Sequence, residues 1–389
     1  MSVRAFECLA CGHTQVSADS PRCDTCGGPL DPIYPYDDID PATLTVTDPA
    51  SMWAFDAVLP TTRSAAVSMG EGGTPLVDAS ETADRLDIDR LYIKDEGQTP
   101  TGTVHDRGFA AAVSALDEAT EVGLASTGVG GQSAAAYAAR AGFSAHVYIP
   151  ARASFGSQAM VNVHGADMNV VEGRYPETRE AFESAATDWY RLGPFETPYR
   201  HDGLKTVFYE IAATLEWTAP DIIVTPAGHG ELPYAIAKAA DELERLGVIE
   251  TVPRVALVQP EACAPISRAL ETGADRPEVW ETPDTICGGL EVTDPEGGQI
   301  AIDAVEATDG VGITRPDAEI LAAACQVAAD DGLAIGTGGG AAVAGAAALR
   351  DEGNIGPDET VVALNTTAAM QQVDVIRSHL MSPEWERRA

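Results

Sequence analysis

Short apolar runs rich in β-branched residues alternate along most of the chain with longer alanine-rich runs. The apolar runs include RLYIKDE at 90–96, AHVYIP at 145–150, PDIIVTPAG at 220–228, RVALVQP at 254–260 and ETVVALNTT at 359–367. The alanine-rich runs include HDRGFAAAVSALDEA at 105–119 and LPYAIAKAADELERLG at 232–247. The first kind is typical of buried strands and the second of helices. Their alternation predicts an α/β fold, in which helices cover both faces of a parallel sheet.

This order of elements directs attention to the turns. In open parallel sheets, ligands bind beyond the carboxyl ends of the strands, where glycine-bearing turns lead into helix N-termini.

The length of 389 residues suits two domains. The glycine- and alanine-rich stretch at 332–349 includes Thr337 and ends at Arg350, so we predict a packed helix there and no membrane partner.

The charge of the sequence indicates in which environment the protein works and which partners it is not expected to have. The sequence has 60 acidic and 24 basic residues, a net charge of -36, and only three lysines, Lys94, Lys205 and Lys238. Because phosphate contact needs concentrated positive charge, we expect no nucleic-acid partner. Such a self-repelling surface suits concentrated salt, and no signal-peptide pattern opens the chain. We therefore interpret the protein as halophilic and cytoplasmic, with an acidic protein of ordinary cytosol as the alternative.

Four cysteines near the start have the spacing of a metal site. Cys8, Cys11, Cys23 and Cys26 form two CxxC pairs separated by eleven residues. Four thiolates on two such turns can surround one zinc ion, and a loop this short cannot fold by burial alone. The sequence predicts a closed, structural zinc ribbon. Two disulfides are the alternative, but they fit the expected compartment poorly.

Several longer motifs follow in chain order. They are SMGEGGTPL at 68–76, LYIKDEGQTPTGTVHDRG at 91–108, STGVGGQSAAAYAARAG at 126–142 and GLKTVFYEIA at 203–212. Together with the ribbon, they resemble threonine synthase, a member of the fold-type-II pyridoxal-phosphate (PLP) enzymes. The resemblance implies a two-domain parallel-sheet fold of the tryptophan synthase β type, and either a monomer or a homodimer.

The resemblance also implies a division of the chain. We predict a zinc ribbon over residues 1–30 and a small α/β domain over 91–190. The large α/β domain is predicted to combine residues 31–90 with 191–381, and residues 382–389 are predicted to form a tail.

The most consequential departure from the family is His105. In threonine synthase, the lysine of SFKDRG forms the internal aldimine, and His105 stands at that position. Imidazole cannot form the exchangeable Schiff base, so the resemblance predicts loss of the covalent anchor and of its proton shuttle. Rescue by another lysine is the alternative, although Lys94 and Lys205 match positions where the family itself carries lysine.

Other positions implied to contact the cofactor have also changed. Val129 replaces an asparagine that bonds the phenolic oxygen of the cofactor. The carboxylate of Glu231 would oppose binding of a nearby phosphate. At moderate dielectric, the repulsion between two charges about 4 Å apart is several kcal/mol, unless a protonated His229 offsets it. Thr366 lies near the residue that meets the pyridine nitrogen, so that contact is expected to survive. The phosphate loop, family PVGNGGN, here contains Gly228, His229, Gly230 and Glu231.

A small-anion site is expected to remain. The family segment that grips the substrate carboxylate is matched by Ser126, Thr127, Gly128, Gly130 and Ser133. Exposed amides and a helix dipole there favour a small carboxylate or amino acid. The alternative is a tight turn kept only for packing.

We thus predict a threonine-synthase-like pseudoenzyme that binds such a ligand or pairs with an active paralogue. Its rivals are an active PLP-dependent threonine synthase or lyase, a lysine-independent enzyme using His105 as acid or base, and a ligand-free structural subunit.

Overall fold

The computed structural model describes residues 3–18, 20–46, 49–116, 121–185 and 188–381, so the predicted tail at 382–389 lies outside the described residues. Packing divides the chain into two compact units. Unit 1 comprises Met1–Thr74, Thr99–Ala219 and Tyr234–Val252. Unit 2 comprises Pro75–Gln98, Pro220–Pro233 and Pro253–Ala389.

Strands and helices alternate as the sequence pattern predicts. Strands β1 to β13 are, in chain order, Ala5–Cys8, Thr14–Gln15, Leu30–Ile33, Leu76–Asp78, Arg90–Asp95, Glu121–Ala125, Ser144–Pro150, Asp167–Val171, Tyr190–Arg191, Ile222–Pro226, Arg254–Pro260, Val311–Arg315 and Thr360–Asn365. Helices α1 to α13 are Ser80–Leu86, His105–Ser114, Val129–Ala141, Phe155–Val163, Tyr175–Ser184, Arg200–Leu204, Thr206–Thr214, Glu231–Arg245, Pro265–Thr272, Gly298–Ala307, Asp317–Asp330, Thr337–Asp351 and Val373–Leu380.

Unit 2 is built on a six-stranded sheet in the order β12-β11-β10-β13-β5-β4. Its strands are parallel except for β4, which runs antiparallel to β5. Every residue of β10 and β13 is buried, as expected for central strands covered on both faces. The glycine- and alanine-rich helix α12 packs into this core through Val343 and Ala346, since small side chains allow close approach. The predicted packed helix within 332–349 is therefore confirmed.

Unit 1 contains two smaller sheets. The strands β6 to β9 form a parallel sheet in the order β8-β7-β6-β9, whose core includes Phe109 of α2 and Tyr137 of α3. The ribbon sheet, which we define as β1, β2 and β3, is antiparallel, in the order β2-β1-β3. The α/β fold predicted from the sequence is confirmed.

The two units do not begin and end where the predicted domains do. Strand Arg90–Asp95 pairs with β13 and β4 and so belongs to unit 2, whereas the predicted small domain begins at residue 91. Residues 191–219, predicted to be part of the large domain, lie in unit 1. None of the helices formed by the described residues combines the length and apolarity that a bilayer crossing requires.

Candidate functional site

The four N-terminal cysteines converge on one point in unit 1. Their sulfurs all lie within 4.8 Å of one another. The separations are 3.5 Å for Cys8–Cys26, 3.9 Å for Cys11–Cys23 and 3.4 Å for Cys11–Cys26. A tetrahedral zinc ion with Zn–S bonds of about 2.3 Å requires sulfurs about 3.8 Å apart, so the cluster has the size of such a site.

One of these thiols is already biased toward the thiolate that a metal needs. Burial raises the pKa of Cys23, but the backbone N–H groups of Thr25 and Cys26 and the neighbouring sulfurs lower it, to about 6. The N–H of Thr25 donates to Cys23 Sγ at 3.4 Å. Metal ligands must be deprotonated, and Cys23 is the thiol closest to that state, whereas the pKa values of Cys8, Cys11 and Cys26 are raised above the ordinary thiol value.

His105 is the first residue of α2, and the turn before it is closed by its own hydrogen bonds. The hydroxyl of Thr99 donates to the carbonyl oxygen of Thr103 at 2.8 Å, and Gly102 N donates to Thr99 O at 2.9 Å. The backbone that leads to His105 is thus fixed locally, which gives the imidazole a defined starting position.

The imidazole of His105 lies against the start of α3. A Cβ atom added to Gly130 would be 3.5 Å from His105 Cδ2, 3.7 Å from His105 Nε2 and 3.2 Å from Ser126 Oγ. A Cβ atom at position 130 would therefore be in ordinary van der Waals contact with the imidazole and in tight contact with the serine oxygen. The structure brings His105, Ser126 and Gly130 to one place in unit 1.

Asp106, the neighbour of His105, joins α2 to α3. Its carboxylate accepts hydrogen bonds from Thr101 N at 2.7 Å and from the hydroxyls of Thr101 and Ser133, each at 2.5 Å. Burial raises the pKa of Asp106, although the three donors oppose this effect. Ser133 is fully buried and its hydroxyl donates to Asp106, so this serine stabilises the position of the Asp106 carboxylate.

The predicted carboxylate-binding turn is capped by its own first residue. Ser126 Oγ accepts hydrogen bonds from Gly128 N at 3.2 Å and from Gly131 N at 2.7 Å. Val129 opens α3, and Thr127 and Val129 are half-buried. The turn therefore presents a helix N-terminus with partial exposure to solvent, which favours a small anion.

The glycine turn after β10 lies in unit 2 and leads into α8. Gly230 has φ +92°, and a Cβ atom there would be 2.7 Å from Ala301 Cβ and 2.8 Å from Gly297 O. Only glycine fits this conformation and this space. His229 Nδ1 faces the carboxylate of Glu296, and Glu231 is the first residue of α8 with 6% of its surface exposed.

Thr366 lies close to the same turn within unit 2. A Cβ atom added to Gly338 at the start of α12 would be 2.3 Å from Thr366 Oγ1 and 3.4 Å from Pro226 Cγ. Gly338 therefore leaves the room that lets the Thr366 hydroxyl approach the end of β10.

The residues matched to the family are divided between the two units. Unit 1 holds His105, Val129 and the Ser126–Ser133 group, and unit 2 holds Gly228, His229, Gly230, Glu231 and Thr366.

The three lysines of the sequence are buried. Lys94 on β5 and Lys205 have no exposed surface. Lys205 Nζ lies 2.9 Å from Asp202 Oδ1 and 2.9 Å from Glu242 Oε1. Lys238 Nζ lies 2.6 Å from Asp31 Oδ1 and 2.8 Å from Asp202 Oδ1, and 7% of its side chain is exposed.

Electrostatics keeps one of these amines charged. Burial lowers the pKa of Lys238, but the carboxylates of Asp202, Asp31 and Glu242 raise it well above its ordinary value. A nucleophilic amine must be neutral, so this ammonium is unsuited to attack on an aldehyde.

Sequence reasoning assigned no role to several buried charges that position the site. Arg107 contacts Glu210 and the hydroxyls of Thr74 and Thr206, all within unit 1. Arg107 and Glu210 belong to the HDRG and GLKTVFYEIA motifs, which was the available signal. Asp31 and Glu296 had no such signal, because they lie outside the quoted motifs.

Comparison with known proteins places these observations in a family. The pyridoxal-phosphate dependent enzyme family matches residues 67–367. A threonine synthase of Methanosarcina acetivorans is 34% identical over 373 residues, covering 93% of this chain and 90% of the relative. One from Methanocaldococcus jannaschii is 30% identical over 376 residues, covering 94% of this chain and 93% of the relative.

Solved structures share the fold. The processed form of threonine deaminase isoform 2 from Solanum lycopersicum aligns with a TM-score of 0.68 at 22% identity, covering 79% of this chain and 82% of that one. Maize serine racemase aligns with a TM-score of 0.66 at 19% identity, covering 79% of this chain and 92% of that one.

Proposed function

Since this chain belongs to the family of pyridoxal-phosphate dependent enzymes and is threonine-synthase-like, we propose that it is a member that has lost covalent coenzyme chemistry. In this proposal it is a pseudoenzyme that binds a small carboxylate or amino acid, or that pairs with an active paralogue. Its predicted cytoplasmic and halophilic character is part of the same proposal.

His105 is the observation that carries this proposal. It begins α2, where the family has its anchoring lysine, and its imidazole lies against Gly130. Imidazole has no primary amine, so it cannot hold an aldehyde coenzyme as an exchangeable imine. The residue at the anchor position therefore does not fit a covalently held coenzyme.

The lysines support the same conclusion. Lys205 and Lys238 are held between buried carboxylates, and Lys94 is buried within β5. Moving the amine of Lys205 or Lys238 would leave buried carboxylates uncompensated, which costs several kcal/mol. Rescue of the anchor by another lysine would thus disturb the fold.

The ligand class follows from the turn at the start of α3. Ser126 fixes the backbone of the turn, and α3 directs the positive end of its dipole at this point. A carboxylate beside Thr127 and Gly128 would gain from that dipole, and the imidazole of His105 would provide a further polar contact. We therefore propose a small carboxylate or amino acid as the ligand.

The cysteine cluster is proposed to hold a structural zinc ion. Four thiolates would fill a tetrahedral zinc site and leave no open position for substrate. In this proposal zinc stabilises the ribbon sheet and takes no part in chemistry.

The test is the absorption spectrum of the purified protein with PLP, followed by borohydride reduction and peptide mapping. We expect no visible aldimine band and no reduced adduct on Lys94, Lys205 or Lys238. The variant His105→Lys tests the position itself, since an amine there is expected to make an adduct at residue 105. An adduct on a native lysine would establish instead an active PLP-dependent threonine synthase or lyase. Turnover that His105→Ala abolishes in a folded protein would establish the lysine-independent enzyme.

A further inference from the structure

Unit 2 contains a cavity between α9 and residues 274–282, the segment that follows this helix. Its volume is about 620 Å³, which is within the range of pockets that hold small organic molecules. Among the described residues that line it, none is matched to the family. The cavity is therefore a candidate site of its own.

The first wall of the cavity is one face of α9. The residues of α9 that line the cavity lie three or four positions apart, so they share one face of the helix. They are Pro265, Arg268, Ala269 and Thr272. The opposite face is fixed to the sheet, because Ser267 N donates to Gln259 Oε1 at 2.9 Å and Ser267 Oγ donates to Ile313 O at 3.0 Å. This wall therefore has a fixed position.

The second wall is the segment 274–282, whose path is fixed by its neighbours. Trp280 N donates to Thr293 O at 2.9 Å. Pro277 packs on the first residue of α10, where a Cβ atom added to Gly298 would be 2.4 Å from Pro277 Cγ. The cavity thus has a supported backbone on both sides, as is usual for the largely pre-formed sites of small molecules.

Two guanidinium groups line the cavity and can bind an anion. Arg276 makes no hydrogen bond or ion pair to any residue that the structure describes. Arg268 Nη1 lies 3.2 Å from Glu271 Oε2, but the side chains are 62% and 63% exposed, so this pair contributes little to stability. Arg268 can therefore exchange Glu271 for a ligand. Guanidinium groups bind carboxylates through paired, charge-assisted hydrogen bonds.

The same lining also carries negative charge and an apolar surface. Glu278 and Glu281 are exposed, and neither makes a hydrogen bond or ion pair within the described ranges of the chain. Between them in sequence are Val279 and the half-buried Trp280, which add apolar atoms to the lining. An anion alone would be repelled by the two carboxylates, and a cation alone by the two guanidinium groups. A zwitterion with an apolar side chain satisfies both.

We propose that this cavity binds a free amino acid with an aromatic side chain. Arg268 and Arg276 bind the α-carboxylate. Glu278 or Glu281 accepts hydrogen bonds from the α-ammonium group. The aromatic ring packs against Trp280, since aromatic pairs gain more than their buried area alone provides. The site shares no residue with the ligand turn proposed in unit 1, so it goes beyond the proposed function.

The experiment measures dissociation constants by isothermal titration with four probes. L-Phenylalanine carries both charges and a ring, 3-phenylpropionate lacks the ammonium group, phenethylamine lacks the carboxylate, and adenosine monophosphate offers a ring and an anion without a cation. The full chain is used at the lowest salt at which its circular dichroism is native, because salt screens charge. We expect L-phenylalanine to bind about tenfold more tightly than any other probe, or better.

Variants assign this binding to the cavity. Arg276→Gln should weaken L-phenylalanine binding about tenfold or more, because a charge-assisted hydrogen bond is lost. Trp280→Ala should also weaken it, and Trp280→Phe should restore most of the affinity because it keeps an aromatic ring. Arg377→Gln makes the same chemical change as Arg276→Gln at an exposed position of α13, and this matched control should keep the wild-type affinity.

The double variant Glu278→Gln, Glu281→Gln tests the choice of a zwitterion. It should bind L-phenylalanine less tightly than wild type and 3-phenylpropionate more tightly, since the repulsion of a carboxylate is removed. L-Phenylalanine binding that is absent from wild type, or that Arg276→Gln leaves unchanged, would overturn the inference without affecting the proposed function. Tighter binding of adenosine monophosphate that also depends on Arg276 would overturn the amino-acid assignment in favour of a nucleotide.

Discussion

Arg107 and Glu210 form a bidentate ion pair that is closed to solvent. Arg107 Nη1 lies 2.8 Å from Glu210 Oε1, and Arg107 Nη2 lies 2.7 Å from Glu210 Oε2. The exposed fractions of the two side chains are 0% and 1%. The pair ties α2, which begins with His105, to α7, so the position of the imidazole depends on a charge pair more than one hundred residues apart in sequence.

Removing one partner of this pair is expected to be costly. Glu210→Gln should lower the free energy of unfolding by about 3–5 kcal/mol, because the Arg107 guanidinium is left buried without its counter-charge. Urea unfolding at fixed salt measures this loss. The double variant Arg107→Met, Glu210→Met should lose less than Glu210→Gln, since no unpaired charge remains.

The matched control is a pair of similar length at the surface. Arg254 Nη2 lies 2.6 Å from Glu359 Oε2, and each side chain is 30% exposed. Glu359→Gln is expected to cost less than about 1 kcal/mol. A loss for Glu210→Gln no larger than that for Glu359→Gln would show that the buried pair does not hold α2.

Acid should weaken the link between the ribbon sheet and the rest of unit 1. Burial raises the pKa of Asp31 on β3, but Lys238 and His201 outweigh this effect and hold the pKa well below its usual range. A carboxyl with a depressed folded pKa contributes stability above its unfolded pKa of about 3.9, and this stability is lost as pH falls through the folded pKa. We therefore expect the wild type to lose stability steadily on acidification below about pH 5.

Asp31→Asn is the variant that tests this sign. It should be less stable than wild type at neutral pH and show a flatter decline between about pH 5 and pH 2, because its side chain does not titrate. Asp241→Asn, at an exposed position of α8, should follow the wild-type curve. Parallel curves for wild type and Asp31→Asn would remove Asp31 from the acid response.

Metal removal is expected to unfold the ribbon sheet. The apolar cluster around Phe6 and Leu30 is small, so the sulfur–metal bonds must provide much of its stability. Elemental analysis should find one zinc ion per chain in wild type and none in Cys11→Ala, and chelation should reproduce the thermal destabilisation of that variant. Cys325→Ala, which changes a half-buried thiol of α11, should keep its zinc. Cysteines found as disulfides, with no metal, would support the alternative that the sequence left open.

The sequence revealed the elements better than the long-range contacts between them. The buried strands β10, β11 and β13 are continuous apolar runs, and such runs can be read locally. The pairing of β5 with β13 joins residues about 270 apart, and no local pattern specifies it. That pairing places Arg90–Asp95 in unit 2, and the predicted division at residue 91 did not anticipate it.

The candidate site was predictable to a similar extent. The motifs marked His105 and the turn at Ser126–Gly130 as helix starts, and the contact between them depends on how α2 and α3 pack, which no local pattern specifies. The partner of His229 did not follow, because its contact with Glu296 depends on how the turn before α10 lies against the turn after β10, and an isolated glutamate in the sequence carries no such signal.

High salt is expected to stabilise the protein strongly. The net charge is -36, and the three lysines are buried and so do not offset the acidic residues at the surface. At about 1 M salt the screening length falls to about 3 Å, which removes repulsion between neighbouring carboxylates but leaves the buried pairs almost unaffected. The midpoint of thermal unfolding should therefore rise between 0.1 M and about 3 M KCl, roughly a thirtyfold range over which screening increases.

A variant that converts exposed Asp241 and Glu244 of α8 to lysine should need less salt to reach the same midpoint. Each substitution replaces a negative charge with a positive one, so the net charge becomes less negative by four. A midpoint independent of KCl in both proteins would contradict the halophilic interpretation and favour an acidic protein of ordinary cytosol.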